Sequence, residues 1–212
     1  MIKQNRILLI VTSVVILIPM LAGLLLWNRL PEEIATHFGT NGEPNGWSSR
    51  GFTVFGLPLI LLALHWLCVI VTAADPRQNG VARKMIHVIL WLIPAASLYA
   101  GGAIYAGVLG LDFDNNAFMM VFIGLMFIII GNYLPKCRQN YTVGIKLPWT
   151  LADEDNWNRT HRLAGWIWTA AGVLILANAF LGSFIVMLAV LIAAAGIPTV
   201  YSFVLWHKKQ PR

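Results

Sequence analysis

Apolar residues in this chain gather into long unbroken runs, without the regular alternation of a half-buried strand. Six runs, 7–27, 52–74, 85–108, 117–134, 163–182 and 184–206, are long enough to cross a hydrocarbon core of about 30 Å, which takes about 20 residues of helix. The pattern predicts an all-α polytopic membrane protein with six transmembrane helices. Residues 75–84 and 109–116 read as short turns, and Gly182-Ser183 barely separates the last two runs, which should form a tight antiparallel hairpin. Two connections can hold a site, 28–51 and 135–162. The expected organisation is an N-terminal two-span unit, 1–74, followed by a four-span region, 75–212. Pro19, Pro58, Pro94 and Pro198 fall inside runs, where a missing donor bends a helix that the bilayer nonetheless tolerates. No internal repeat is evident, which argues against an inverted-repeat transporter.

Composition agrees with this class: 58% of residues are hydrophobic and 11% charged, against roughly a quarter charged in soluble domains. All nine acids and all fifteen Lys and Arg lie in connections or tails. With the N-terminus inside, thirteen basic residues fall on the cytoplasmic side and only Arg29 and Arg50 on the outer side, so both termini are expected in the cytoplasm. The first run, Ile7 to Trp27, exceeds a signal-peptide core and lacks an Ala-x-Ala-like cleavage site, so it is expected to be retained. Basic inner loops facing an anionic leaflet account for the net charge of +6, and no direct nucleic-acid partner is implied. Cys68 lies in a span and Cys137 in an inner connection, so neither is placed for an extracellular disulfide.

The outer connection, 28–51, begins with Pro31-Glu32-Glu33, which reads as a short helix start with acids in its first turn. Asn41-Gly42, Pro44-Asn45 and Asn45-Gly46 then mark turns. On a helix Glu33 and His37 would share a face as metal ligands do, but no third ligand is spaced to join them, and a solvated pair is the simpler reading. Trp47 reads as an interfacial anchor.

The inner connection, 135–162, is polar and aromatic-rich. Thr150 and Asp153 fit a capping box, with Asp153, Glu154 and Asp155 crowding the start of a helix that continues into the fifth run. Pro148 forces an extended approach before Trp149. Helical spacing then aligns Trp157, His161, Gly165 and Trp168 on one stripe, and Asn158, Arg162 and Trp166 on its neighbour. Upstream, Asn132, Pro135, Lys136, Arg138 and Asn140 leave the fourth run, and Gly144-Ile145-Lys146 supplies a flexible basic turn. On composition this is a basic, Trp-anchored segment tying two helices together. The sequons Asn140-Tyr141-Thr142 and Asn158-Arg159-Thr160 lie on the wrong side of the membrane to be used.

As they stand here, the words GNYLPK, RxN, GIKLPWTL and WxRTHRLAGW resemble the signature region of the SdpI-type immunity proteins, bacterial membrane proteins that protect a producer from its own toxic peptide. The outer words LPEEIATHF and GEPNGW resemble the small domain of unknown function that commonly precedes that region. The resemblance spans about residues 10 to 206. It implies a multi-pass protein of the bacterial plasma membrane conferring resistance to a membrane-active peptide, and in some members capture of a cytosolic transcriptional repressor. On that reading Asn132, Pro135, Lys136, Arg138, Asn140, Gly144, Lys146, Pro148, Trp149, Thr150, Trp157, Arg159, Thr160, His161 and Arg162 form a partner-binding inner loop. Glu33, His37, Phe38, Gly42 and Trp47 form an outer, toxin-facing set. No cofactor and no resident metal are expected.

Two other classes also fit a chain of this composition. A transporter or channel would use intramembrane polar groups. The candidates are His65, His87, Asn132 and Asn178, each more simply a satisfied interhelical or interfacial group. An intramembrane enzyme would need a nucleophile set beside a base. Cys68 and His65 share a helical face, but no span supplies an orienting carboxylate.

Overall fold

A computed structural model describes residues 1–40, 42–77, 81, 83–111 and 114–210. Asn41, Asp112 and Arg212, which entered the expected turns and charge counts, lie outside the described residues. Helix dominates: α1 (Arg6–Ile16), α2 (Ile18–Leu25), α3 (Leu57–Ala74), α4 (Arg83–Val108), α5 (Asn115–Tyr133), the short α6 (Pro148–Ala152), α7 (Glu154–Asn178) and α8 (Phe184–Lys208). Among the described residues five helical stretches are long and apolar enough to cross a membrane: Lys3–Leu25, Phe52–Ala74, Arg83–Val108, Asn115–Lys136 and Phe184–Lys208. The protein is a multi-pass, all-α membrane protein. The expected fifth run, 163–182, is carried by α7, which begins in polar sequence at Glu154 and ends at Asn178.

The chain divides into two compact units, Met1–Ile70 with Ile89–Asn116, and Val71–Val88 with Ala117–Arg212. In the first, the run at 7–27 is broken at Leu17, where Pro19 in the next turn cannot donate to the preceding helix. The carbonyls near the break find partners on α4: Ser97 Oγ donates to Ile16 O at 2.9 Å and Tyr105 Oη to Pro19 O at 2.9 Å. Leu9, Thr12 and Ile16 form the buried stripe of α1, and Thr12 pairs with the buried His65 of α3 across 3.1 Å. By contrast Pro94 and Pro198 lie within continuous helices.

The outer connection corrects the expectation. Pro31 starts no helix; the segment is an antiparallel hairpin of β1 (Glu33–Phe38) and β2 (Pro44–Ser49). Ile34 decides this, because it is 1% exposed and packs with Leu30, Val54 and Tyr105, while Glu33 on its other side faces out. Gly42, at φ +80°, helps close the turn.

The second unit is built on a helical hairpin. α7 ends at Asn178, whose carbonyl accepts from Leu181 and Gly182, and α8 starts after the Ser183 cap. At the far end Lys209 Nζ reaches Asp153 at 2.6 Å and Asp155 at 3.0 Å. The two helices, each of 25 residues, therefore run antiparallel over their full length. α5 meets α7 through two pairs of glycines seven residues apart. A Cβ on Gly172 would lie 2.5 Å from Gly124 O, and one on Gly165 would lie 2.9 Å from Gly131 O. Backbone-to-backbone approach of this kind is how helices associate in lipid, where no hydrophobic force draws them together.

Candidate functional site

The 135–162 connection starts where Pro135 stops α5, leaving a 3-10 turn over Leu134–Lys136. From there to Leu147 the backbone is irregular, so side chains must satisfy its polar groups. Asn140, fully buried, does much of this. Its Oδ1 accepts from the N–H of Thr142 at 3.0 Å and of Val143 at 2.7 Å, and its Nδ2 donates to Arg138 O at 2.8 Å. The RxN word is thus an Asx turn.

Asp75 lies just beyond α3, in the connection expected as a short turn. Its buried carboxylate accepts from Arg77 N at 2.7 Å, Tyr141 N at 2.8 Å and the Thr142 hydroxyl at 2.9 Å. Burial alone would raise its pKa, but these donors outweigh it and hold the carboxyl below its usual range. Gln139 extends the tie, donating to Thr150 O and Leu151 O at 3.0 Å and accepting from the Arg77 guanidinium. Arg77 also lies 4.9 Å over the Tyr141 ring.

At the centre Trp157 and His161 stack at 4.0 Å, 0% and 1% exposed. Trp157 Nε1 donates to Cys137 O at 2.8 Å. His161 Nδ1 lies 2.8 Å from Trp157 O, and Ile145 N–H donates to Nε2 at 2.9 Å. A carbonyl can only accept and an amide N–H can only donate, so His161 is the neutral Nδ1–H tautomer. Burial pushes its pKa down to about 4, opposed only by the Trp157 carbonyl. Gly144 closes over this stack at φ +119°, and a side chain there would collide with His161 Nε2. The turn expected to be flexible is fixed by the rings beneath it.

The capping box is also corrected. Thr150 belongs to α6, where its Oγ1 accepts from Leu147 N–H at 2.9 Å and its hydroxyl faces Ile145 O at 2.8 Å. Asp153 caps α7 by itself, accepting from Asp155 N and Asn156 N. Trp149 Nε1 donates to Ser202 Oγ at 2.9 Å, and Asn156 Nδ2 to Ser202 O at 2.9 Å. Thr160 donates in turn to Asn156 Oδ1 at 3.0 Å. Ser202 of α8 is therefore the anchor of the α6–α7 corner.

The expected residues sort into two sets. Asn140, Thr150, Trp157, Thr160 and His161 are buried, with Gly144 and Trp149 half-buried beside them. Asn132, Pro135, Lys136, Arg138, Lys146, Pro148, Arg159 and Arg162 are exposed. Lys136 lies over the Tyr133 ring at 4.7 Å, Lys146 donates to Thr142 O at 3.0 Å, and Arg159 is 3.8 Å from Asp155. The arrangement is a rigid polar core bearing a basic rim. Asp75, Gln139, Asn156, Ser202 and Lys209 were missed; only the Asn156/Thr160 spacing gave a local signal, since the others act across long separations.

On the hairpin, His37 Nδ1 pairs with Asn45 Oδ1 at 2.5 Å, and Trp47 is 57% exposed. Bulges on either side of His37 separate it from the plain register of Glu33 opposite Ser49, and Phe38 pairs with Pro44. The structure thus gives Glu33 and His37 no shared helical face. Among the described residues no group of three or more His, Cys, Asp or Glu is placed to hold a metal ion. Of the polar groups weighed for transport, His65 is bonded to Thr12, Asn178 Nδ2 donates to Ser183 O at 2.7 Å, and His87 is exposed, as is Cys68.

Comparison with known proteins places this geometry. Residues 136–202 match the SdpI/YfhL protein family, from the 3-10 turn after α5 to the Ser202 anchor. Residues 14–62 match a domain of unknown function, DUF1648, which takes in the hairpin. The chain is 24% identical over 206 residues to Immunity protein SdpI of Bacillus subtilis (strain 168), covering 94% of this chain and 96% of the relative. No solved structure matches it. The chain thus carries an SdpI/YfhL region behind a DUF1648 region, and over nearly its whole length it is similar to an immunity protein.

Proposed function

We propose that this protein sits in a bacterial plasma membrane and confers resistance to a membrane-active peptide toxin, acting without chemistry of its own. The observation that carries the reading is likeness to an immunity protein over nearly the whole of both chains. The geometry supports a surface for recognition. Buried hydrogen bonds hold the 135–162 connection rigid, and its cations stand at the rim, where a soluble partner can meet them. A partner binding such a preorganised face loses little entropy in ordering it. A cytosolic repressor protein is the partner we propose for that face, and the exposed hairpin with Trp47 is the part we propose the toxin meets. Direct binding of nucleic acid is not part of this reading.

We further propose that α7 crosses the membrane as a sixth span and that both termini are cytoplasmic. α8 has the length and composition of a span, α7 accompanies it end to end, and Lys209 sits beside Asp153 and Asp155 at the start of α7. That puts the C-terminus on the side of the basic 135–162 connection, in keeping with the excess of Lys and Arg there. Expression in a sensitive bacterium, with survival and membrane potential followed under a panel of membrane-active peptides, tests the resistance reading. Protection from at least one peptide is expected, and no protection from any would overturn it.

A further inference from the structure

Among the described residues Ser13, Thr53, Asn115 and Asn178 each hold a buried side-chain oxygen with no protein partner. Thr53 is 3% exposed, and the cause of its isolation is local. A threonine inside a helix donates to a carbonyl one turn back, as Thr169 does to Gly165 O and Thr199 to Ala195 O. Four residues before Thr53 stands Ser49, the last residue of β2, and Phe52–Gly56 form a wide π turn ahead of α3. No regular helical turn precedes Thr53 to supply the carbonyl. A buried donor left unmade is costly in an apolar medium.

Thr53 borders a small cleft within the first unit, lined also by Pro19 of α2 and by Ser97 and Tyr105 of α4. Its volume is about 20 Å³, room for a single water. Gly101 keeps it narrow by admitting Pro19 against α4, where a Cβ would lie 2.5 Å from Pro19 Cβ. The hydrogen-bonding complement can be counted. Ser97 Oγ donates its proton to Ile16 O, and Tyr105 Oη donates its own to Pro19 O, so each has only lone pairs left to offer. Thr53 still has a proton to give. A group that fits must be one oxygen atom in size, accept one hydrogen bond and donate two.

We infer that this cleft is a binding site for one water molecule, which accepts from Thr53 Oγ1 and donates to Ser97 Oγ and Tyr105 Oη. A sodium ion matches the size but not the complement. It would take lone pairs from all three hydroxyls, leave the Thr53 proton unmet, and meet no carboxylate among the described residues that line the cleft. The water joins the break between α1 and α2 to the π turn ahead of α3, two segments whose backbones are irregular. The same segments carry the base of the outer hairpin, because Leu30 and Ile34 pack with Val54, the neighbour of Thr53, and with Tyr105. The site thus helps position the hairpin, and it stands whether or not the hairpin meets a toxin.

The test is X-ray radiolytic footprinting of the full-length protein in lipid nanodiscs, read by mass spectrometry. Radiolysis of a bound water oxidises side chains that bulk hydroxyl radicals do not reach, so Tyr105 should be oxidised in wild type although it is only 7% exposed. Thr53→Val removes the donor at nearly constant size and should lower that rate about tenfold, the worth of one hydrogen bond in occupancy. Thr53→Ser should keep the wild-type rate. Ala100→Val, at a residue lining the cleft, fills it and should lower the rate as far, which decides the matter if Thr53→Val fails to fold. Tyr99, on α4 but not part of the lining, should be oxidised equally in every variant. Replacing sodium by a bulky organic cation should change nothing. Equal Tyr105 oxidation in wild type, Thr53→Val and Ala100→Val overturns the assignment, and a rate that changes with sodium overturns it in favour of a cation.

Discussion

Acidification should loosen the 135–162 connection through one residue. His161 is neutral, 1% exposed, and held as donor to Trp157 O and acceptor from Ile145 N–H. Its pKa is about 4 in the folded protein against 6.5 for a free histidine. The unfolded chain then binds more protons than the folded one between these values, so stability falls as pH drops from about 6.5 towards 4 and is level below that. Two and a half pKa units correspond to about 3 kcal/mol in full, and about 2 kcal/mol is lost by pH 5. Asp75 and Asp153, whose carboxyls are held below the usual 3.8, titrate beneath this window. The assay is thermal unfolding of detergent-solubilised wild type and His161→Gln, followed by tryptophan fluorescence at pH 7.5 and pH 5. Wild type should lose several degrees of Tm beyond whatever His161→Gln loses. An identical pH response in the two proteins would refute the neutral, buried assignment.

Asp75→Asn keeps the size but removes the charge that three donors surround, and should cost about 1–3 kcal/mol; limited proteolysis should show faster cleavage within 137–147. Gly172→Val places methyl groups where Gly124 O already sits and should cost about 1–3 kcal/mol or more, read as reduced folded protein in membranes. Gly144→Ala combines a left-handed backbone with a collision against His161, and should destabilise more than Gly102→Ala, where the space is open. Single cysteines at Arg138 and Gln210 should be labelled by an impermeant reagent from the same side of the membrane in oriented vesicles; labelling from opposite sides would remove the sixth span.

What the sequence disclosed depended on the range of the interaction. Long apolar runs declare membrane helices because the bilayer imposes length, and the 157/161/165 stripe declared itself because helical period is local. The hairpin did not, since Pro31 and the two acids imitate a helix start, and it is the burial of a single isoleucine, Ile34, that sets the strand. The division of labour in the inner motif was equally hidden. Arg138 and Asn140 look alike in the motif, yet one stands at the rim and the other is a buried Asx turn. Asp75, Gln139 and Lys209 act across separations of 66, 12 and 56 residues, for which no local pattern exists.

The basic rim of the inner connection is the surface on which the proposed immunity turns, and Arg138 and Arg162 can be removed without touching the buried network. The decisive measurement is survival of a sensitive strain under a protecting peptide, comparing wild type with Arg138→Ala/Arg162→Ala at matched membrane levels. Loss of protection with the protein still folded and in place is the predicted result. Undiminished protection would contradict the account and move the working surface elsewhere in the molecule.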